Sequence, residues 1–445
     1  MKKAVKFGGS SLADATQFRK CAAIIQADPS RRYVVPSAPG KRFRDDVKIT
    51  DMLIECYEIQ RKDLDQGLEC FSRVEDRFDE IIRDLGLDYS LEPEYRLIRS
   101  YMEEGLSRDY LVSRGEFLSG KVLAALLGFP FVDPADYIVF NSNGVFEEQK
   151  TAAAFRKIVD MDCFVMPGFY GATETGRIKT FTRGGSDITG SVVAGGMRVD
   201  IYENWTDVSG FLMADPRMVE DPLSITEISY SELRELSYMG AQVFHEEAIF
   251  PAREAGIPIN IRNTNRPEDE GSWVRTDDKI SEGHLLITGV TGKKGFMSMS
   301  FEKDVGGDRL PFGRKVLQMF EEAKIMVEHV PSSIGTMTVI VDAREISGKE
   351  ENILRRIRRE IDPYSITVER NLALVAVVGI RMHGVVGITS DMLRVLAKEG
   401  INVRMLIQGI KEISLIIGIN EEDFEKAIRL LYRFALERNQ KERLG

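Results

Sequence analysis

The chain has 445 residues, of which 43% are hydrophobic, 29% charged and 9% aromatic, the balance of an ordinary globular protein and not of a disordered or fibrous one. At roughly 100–200 residues per domain this length supports about two to four domains, each able to bury a core. Sixty basic residues stand against 70 acidic ones, a formal charge of −10; they are interspersed without a basic stripe, so no nucleic-acid partner is expected. No apolar run reaches the roughly 18–20 residues that span a bilayer, and the N-terminus turns glycine-rich at Gly8-Gly9 before a signal-peptide core forms. No membrane partner is expected, and a cytoplasmic location is. Four cysteines (Cys21, Cys56, Cys70, Cys163) and four histidines (His245, His284, His329, His383) show neither CxxC nor metal-ligand spacing, so neither a disulfide nor a metal site is expected.

Ala4 to Phe7 read as a short strand that runs into Gly8-Gly9-Ser10-Ser11 and a helix over Ala15 to Gln26. A second strand, Tyr33 to Ser37, ends in Ala38-Pro39-Gly40. From there to about Lys121 apolar residues recur at three- and four-residue spacing among Asp, Glu and Arg, which predicts helices packed on a sheet. Strands are expected at Phe131-Val132, Ile138 to Phe140, Cys163 to Met166 and Val199 to Trp205, with a helix over Ser186 to Gly195. This alternation predicts an α/β domain with a largely parallel sheet. Ser229-Tyr230-Ser231-Glu232 is a capping-box pattern that opens a helix through Leu233, Leu236, Met239 and Val243, and a strand, Ile257 to Arg262, follows. The polar stretch 263–278 reads as an exposed connection at the major domain boundary.

Beyond Leu285 a weak internal repeat is offset by about 76 residues. One copy comprises Phe296 to Phe301, a helix over Phe312 to Ala323, Ile325 to Val330 and Thr336 to Val341; the other comprises Leu372 to Val378, a helix over Ile388 to Lys398, Ile401 to Ile407 and Glu412 to Ile419. Each reads β-α-β-β, and modules with open sheet edges are expected to pair side by side. A last helix covers Glu421 to Leu436.

A Walker A loop is absent, so any phosphate must be held otherwise. Lys6 precedes Gly8-Gly9 at a strand end, where bare N–H groups and an ammonium suit a phosphate, although a glycine pair there is also an ordinary tight turn. A second glycine cluster, Arg183-Gly184-Gly185-Ser186-Asp187, combines an anion nest with a guanidinium suited to a carboxylate, and Ser186 or Asp187 can cap the following helix. A third, Trp205 to Gly210 with Asp215-Pro216-Arg217 nearby, ends a strand and can face a nucleotide.

Taken in order, KFGGSS, SRGEFLSG (Ser113 to Gly120), RGGSD, WTDVSG…ADPR (Trp205 to Arg217), ELRELSYMGAQVFHEEAI (Glu232 to Ile249) and IPINIRNT (Ile257 to Thr264) resemble the aspartate kinases of the amino-acid kinase superfamily, and the repeat resembles that family's tandem ACT domains. The resemblance implies an α/β amino-acid kinase fold over 1–280, then two α+β, ferredoxin-like ACT domains over 281–365, with 430–445 as a candidate completion, and over 366–436. It implies transfer of phosphate from MgATP to the β-carboxylate of L-aspartate. Lys6 and Asp187 would be catalytic, and Thr50, Glu116, Arg183, Gly184, Gly185 and Ser186 would bind substrate. Lys6, Phe7, Gly8, Gly9, Thr206, Asp207, Leu212, Arg217 and Gln242 would bind nucleotide. Asp308, Arg309, Glu328, Ser332 and Ser333 would hold a feedback inhibitor, L-lysine in preference to threonine, because Glu328 can pair with an ε-ammonium. Mg²⁺ is expected with ATP, and a homodimer or larger homo-oligomer through the ACT modules.

Three residues depart from that family's pattern: Leu212 for an aromatic residue, Gln242 for a lysine facing ATP, and Pro36 for a valine, which predicts a bulged or unpaired second strand. Leu212 and Gln242 keep a second reading open, a catalytically dead amino-acid sensor on a kinase-like scaffold. A fused homoserine dehydrogenase is not expected, since no third domain follows.

Overall fold

The computed structural model describes residues 1–182, 184–240, 246–303, 309–333 and 335–444. They form two compact units, one of Met1–Phe211, Ser224–Tyr230 and Val243–Ile280, the other of Leu212–Leu223, Ser231–Gln242 and Ser281–Gly445. The chain runs β1 (Lys3–Phe7), α1 (Ala15–Gln26), β2 (Arg31–Pro36), α2 (Ile49–Gln60), α3 (Leu64–Leu85), α4 (Glu92–Glu104), α5 (Arg108–Leu127), β3 (Val139–Phe140), α6 (Glu148–Phe155), β4 (Phe164–Val165), β5 (Tyr170–Thr173), β6 (Ile178–Thr180), α7 (Gly185–Gly196) and β7 (Ile201–Thr206). Short strands β8 (Phe211–Leu212), β9 (Ser224–Ile225) and β10 (Glu227–Ser229) follow, then α8 (Tyr230–Tyr238), α9 (Glu246–Glu254), β11 (Ile259–Asn263) and β12 (Ser272–Arg275).

Seven of these strands make the main sheet of the first unit, in the order β10-β12-β11-β7-β1-β2-β4, parallel except for the β11–β12 pair. Strand pleating sends successive side chains to opposite faces. Val5 and Phe7 join Val34, Val165 and Trp205 in a core completed by apolar faces of α1 to α5, while Lys6 projects to the face where α7 lies. Because β2 lies on one side of β1 and β7 on the other, the β1 loop sits at a topological switch point, where open parallel sheets leave a crevice.

Several expectations are corrected. Pro36 causes no bulge: it ends β2 opposite Phe7, and the ladder continues from the Ser37 N–H to the Phe7 carbonyl (3.0 Å). Its carbonyl still accepts from the Gly168 N–H (3.0 Å), so backbone pairing continues on the β4 side as well, although the proline itself donates nothing there. Phe131 forms only an isolated bridge to Val165, and the connection 263–278 contains a buried strand, β12, because Ser272 and Val274 point inward amid polar neighbours. Strands β5 and β6, too short to show periodicity, were not foreseen. A disulfide does join Cys56 to Cys70. The tight turn between α2 and α3 lays the two helices antiparallel and brings both buried cysteines to 5.3 Å between Cα atoms, a proximity that spacing along the chain does not reveal.

The second unit contains β13 (Gly289–Glu302), α10 (Arg309–Glu322), β14 (Thr336–Asp342), α11 (Ala343–Ile346), α12 (Glu350–Glu360), β15 (Ser365–Val378), α13 (Ile388–Lys398), β16 (Met405–Gln408), β17 (Ser414–Asn420) and α14 (Phe424–Leu444). The repeat merges into one antiparallel sheet, β14-β13-β15-β17-β16. β13 and β15 pair along their whole lengths, so both halves share them. The register shifts at Lys294/Phe296, where Gly295 adopts φ 88°, a left-handed conformation suited to glycine, and this bulge separates the halves. One half packs Met299, Phe301, Val316, Phe320, Val339 and Ile357 in its core; α13 and α14 pack on the other. The strand expected at Ile325 to Val330 is reduced to bridges from His329 to Ile340 and, just beyond, from Ser332 to Met337, because Pro331 between them has no N–H to extend the ladder.

Candidate active site

A cleft of about 610 Å³ in the first unit is lined by Lys6, Thr50, Arg108, Asp109, Glu116, Phe169, Lys179, Thr180 and Gly184 to Asp187, among others. Lys6 Nζ lies 2.7 Å from Asp187 Oδ1, and the same oxygen accepts a 2.6 Å hydrogen bond from Asn204 Nδ2. Asp187 is not the helix cap. Gly184, with φ 58°, is the N-cap of α7, and Asp187 falls in the first turn with its carboxylate turned onto the β1 lysine.

The glycines after β1 answer to close packing. A Cβ on Gly9 would lie 2.9 Å from the Ala38 carbonyl, and one on Gly40 2.6 Å from the Gly9 carbonyl carbon, so the two loops meet backbone to backbone. The Gly8 N–H donates to the Trp205 carbonyl (3.0 Å), which commits that amide to β7 and not to a phosphate. Phe7 is also corrected: its ring is fully buried against Trp205, with centroids 6.1 Å apart, and cannot meet a nucleotide.

α5 is buried on nearly every side, so its SRGE segment carries polar groups inward. The Arg114 guanidinium lies over the rings of Tyr110, Phe117 and Tyr170 at 4.4, 4.5 and 5.1 Å. Glu116 is 5% exposed, and its Oε2 has no hydrogen-bond partner. Burial pushes its pKa up to about 8, against the smaller opposing pull of the Ala38 backbone hydrogen bond. A buried carboxyl with one oxygen unsatisfied, in the same cleft as a cation–anion pair, suits a ligand that brings a positive charge. Phe169, held at φ 81° where a bulky side chain is strained, completes the wall.

Thr206 and Asp207 stand together at the end of β7, with a 3.1 Å hydrogen bond between their side chains. Leu212 and Arg217 lie on the second unit's segment 212–223, where exposed Arg217 pairs with Asp215 at 2.6 Å. Arg183, Gln242 and Asp308, like the side chain of Arg309, fall outside the described residues. In the second unit Ser332 and Ser333 line a cleft of about 530 Å³ with Phe312, Arg314 and Thr336. Glu328 instead hydrogen-bonds the Tyr238 hydroxyl.

Sequence reasoning missed three supporting groups. Arg77, 5% exposed, donates to the Ala13 and Gly40 carbonyls (2.9 Å each) and lies 3.1 Å from Asp46, clamping the loops behind Gly9. Its place on the apolar stripe of α3, between Val74 and Phe78, was the available signal. Buried Glu203 binds Lys3 (2.7 Å), Arg31 (2.8 Å) and the Trp205 indole (2.9 Å) beneath β1. Burial alone would raise its pKa, but these hydrogen bonds hold it below the usual range. Asn204 was the third, hidden inside a strand.

Comparison with known proteins gives the family. The model of the amino acid kinase family matches residues 1–263, and that of an ACT domain matches 375–433. Aspartokinase 3 of Bacillus subtilis is 36% identical over 447 residues, covering 97% of this chain and 98% of that one. The crystal structure of Clostridium acetobutylicum aspartate kinase superposes with a TM-score of 0.90 at 42% identity, covering 98% and 99% of the two chains. Escherichia coli aspartokinase III, solved with lysine and aspartate, shares the fold with a TM-score of 0.76 at 23% identity, covering 98% and 99%. The chain belongs to the amino acid kinase family, and within it to the aspartokinases.

Proposed function

We propose that the protein phosphorylates the β-carboxylate of L-aspartate with MgATP, giving 4-phospho-L-aspartate, the entry to lysine, threonine and methionine synthesis. The observation that carries this reading is the buried Glu116, one oxygen of which has no hydrogen-bond partner, in one cleft with the Lys6–Asp187 pair. An amino acid satisfies both: its ammonium takes Glu116, and its distal carboxylate approaches the lysine. No general base is needed, because a carboxylate with pKa near 4 is already ionised at neutral pH. Catalysis then consists of bringing two anions together and neutralising the charge that grows between them.

In this reading Lys6 stabilises the transferring phosphoryl group, and Asp187 with Asn204 aims the ammonium. Thr50, Gly184, Gly185 and Ser186 shape the aspartate site with Arg183, while Gly9, Thr206 and Asp207 meet the nucleotide, with Leu212, Arg217 and Gln242 as further contacts. Among the described residues no group of three or more His, Cys, Asp or Glu can hold a metal ion. Mg²⁺ would arrive on the phosphate oxygens of ATP, with Asp187 as the carboxylate in reach. Mg²⁺ there supplies charge neutralisation.

L-Lysine, in preference to threonine, is the proposed feedback inhibitor, bound at the ACT repeat through Ser332, Ser333 and Glu328 with Asp308 and Arg309. A cytoplasmic location and a homo-oligomer built through the ACT domains complete the reading; no helix is long and apolar enough to cross a membrane among the described residues. The test is ATP consumption dependent on L-aspartate, with the acyl phosphate trapped as its hydroxamate. ATP turnover without hydroxamate, or none with aspartate, refutes the proposal. The sensor alternative gains no support from a cleft in which Lys6, Asp187 and Glu116 converge.

A further inference from the structure

Asp109, in the first turn of α5, uses both carboxylate oxygens across the cleft wall. Oδ2 lies 2.7 Å from Lys179 Nζ, and Oδ1 accepts a 2.7 Å hydrogen bond from the Thr180 hydroxyl. The Lys179 stem runs beside Gly144, where a Cβ would come within 2.7 Å of its Cε, so the lysine is held from both sides. Lys179 and Thr180 close β6, and the chain passes directly from Thr180 into 181–187, the segment that ends in Asp187. α5 carries Glu116 seven residues beyond Asp109, about 10 Å along the helix. The clip therefore joins two elements that both line the cleft, and it is only partly exposed: Asp109 21%, Lys179 37%.

We propose that Asp109 is a positioning residue for the acidic substrate: by holding Lys179 and Thr180 it fixes the cleft-lining residues Phe181, Thr182 and Gly184 to Asp187 relative to Glu116. The inference rests on the reading of this cleft as the aspartate site. Asp109 touches no reacting atom in this account. It acts through β6, so its loss loosens the aspartate site and leaves the nucleotide contacts at the ends of β1 and β7 in place. Small displacements of positioning groups are costly because binding geometry is set within fractions of an ångström.

The experiment compares steady-state kinetics of the wild type, Asp109→Ala, Asp109→Asn and the double variant Lys179→Met/Thr180→Val, with thermal midpoints measured alongside. The double variant removes the clip from the other strand, should Asp109→Ala fold poorly. Asp109→Ala and the double variant are expected to raise the KM for aspartate about tenfold and to leave the KM for ATP within about twofold. Asp109→Asn, which keeps an acceptor for Thr180, should fall between them and the wild type. Equal changes in both KM values, or an aspartate KM within about twofold of wild type in the double variant, would overturn the positioning role. A wild type without aspartate-dependent turnover would overturn the reading of the cleft and this inference with it, whereas a wild type that turns over with unaffected variants overturns the inference alone.

Discussion

Replacing Glu116 by Gln tests the site through its own energetics. The carboxyl is 5% exposed, one oxygen lacks a partner, and burial holds its pKa at about 8 instead of 4.5. At pH 7 the unfolded chain ionises this group and the ligand-free folded chain does not. The native state thus binds nearly one proton more, and stability falls as pH climbs from about 4.5 to about 8. At about 1.4 kcal/mol per pH unit over the ~2.5 units from 4.5 to 7, the penalty is about 3 kcal/mol. Gln cannot ionise, so Glu116→Gln should be more stable than wild type by up to ~3 kcal/mol at pH 7, with the gain vanishing below about pH 4.5. Melting curves of both proteins between pH 4 and 8 read this directly: the two midpoints should diverge as pH rises.

The same proton should leave when a substrate ammonium arrives beside the carboxylate. Aspartate binding at pH 7, followed by calorimetry in two buffers of different ionisation enthalpy, should release close to one proton in wild type and none in the variant. The variant's KM for aspartate should rise about 10–150-fold, the worth of one charge-assisted contact. Parallel melting profiles, or proton-neutral binding by the wild type, would refute the reasoning.

Lys6→Ala and Asp187→Ala should each lower kcat by about two to three orders of magnitude with unchanged circular dichroism, since both act on charge that develops in the transition state; a near-native kcat in either would misplace the centre. Cys56→Ser should cost about 3 kcal/mol for opening a loop of roughly 14 residues. Reductant should lower the denaturation midpoint of wild type and leave that of the variant unmoved, and identical responses would contradict the bridge. Glu328→Gln should relieve inhibition by lysine and leave basal turnover intact. Undiminished inhibition, or inhibition of the wild type by threonine alone, would remove Glu328 as the selecting residue.

The α/β frame was legible because its signals are local and strong. β1, the glycines after it and α1 form a strand–loop–helix whose bounds the apolar pattern marks almost to the residue. What stayed hidden depends on groups far apart in the chain. Glu203 meets Lys3 and Arg31 across some 200 and 172 residues, and Arg77 reaches Ala13 and Gly40 from the third helix. Cys56 and Cys70 are neighbours only once a hairpin forms. The Gly8 amide and the Phe7 ring follow the same rule: the motif marks the loop but not which amide or ring is already committed to β7 and the core. β12 escaped because Ser-Trp-Val-Arg is four residues long and sits in a polar run.

The sharing of β13 and β15 by both halves of the ACT unit has a consequence for synthesis. The C-terminal half of β13 finds β14 soon after it is made, but the strand partner of residues 289–294 is 373–378, and before it arrives they have only the Val290 N–H bond to the Met213 carbonyl (2.7 Å) among the described backbone contacts. At about 5–20 residues per second, translation takes roughly 4–15 s to deliver that partner. Through this interval a strand end lies open to any passing chain, the circumstance in which intermolecular sheets nucleate. Lys293 and Lys294 fall within the waiting segment, between Gly292 and Gly295. Two adjacent ammonium groups flanked by residues of poor β propensity make it a weak template for a stranger, so the least apolar stretch of the sheet also guards the nascent chain.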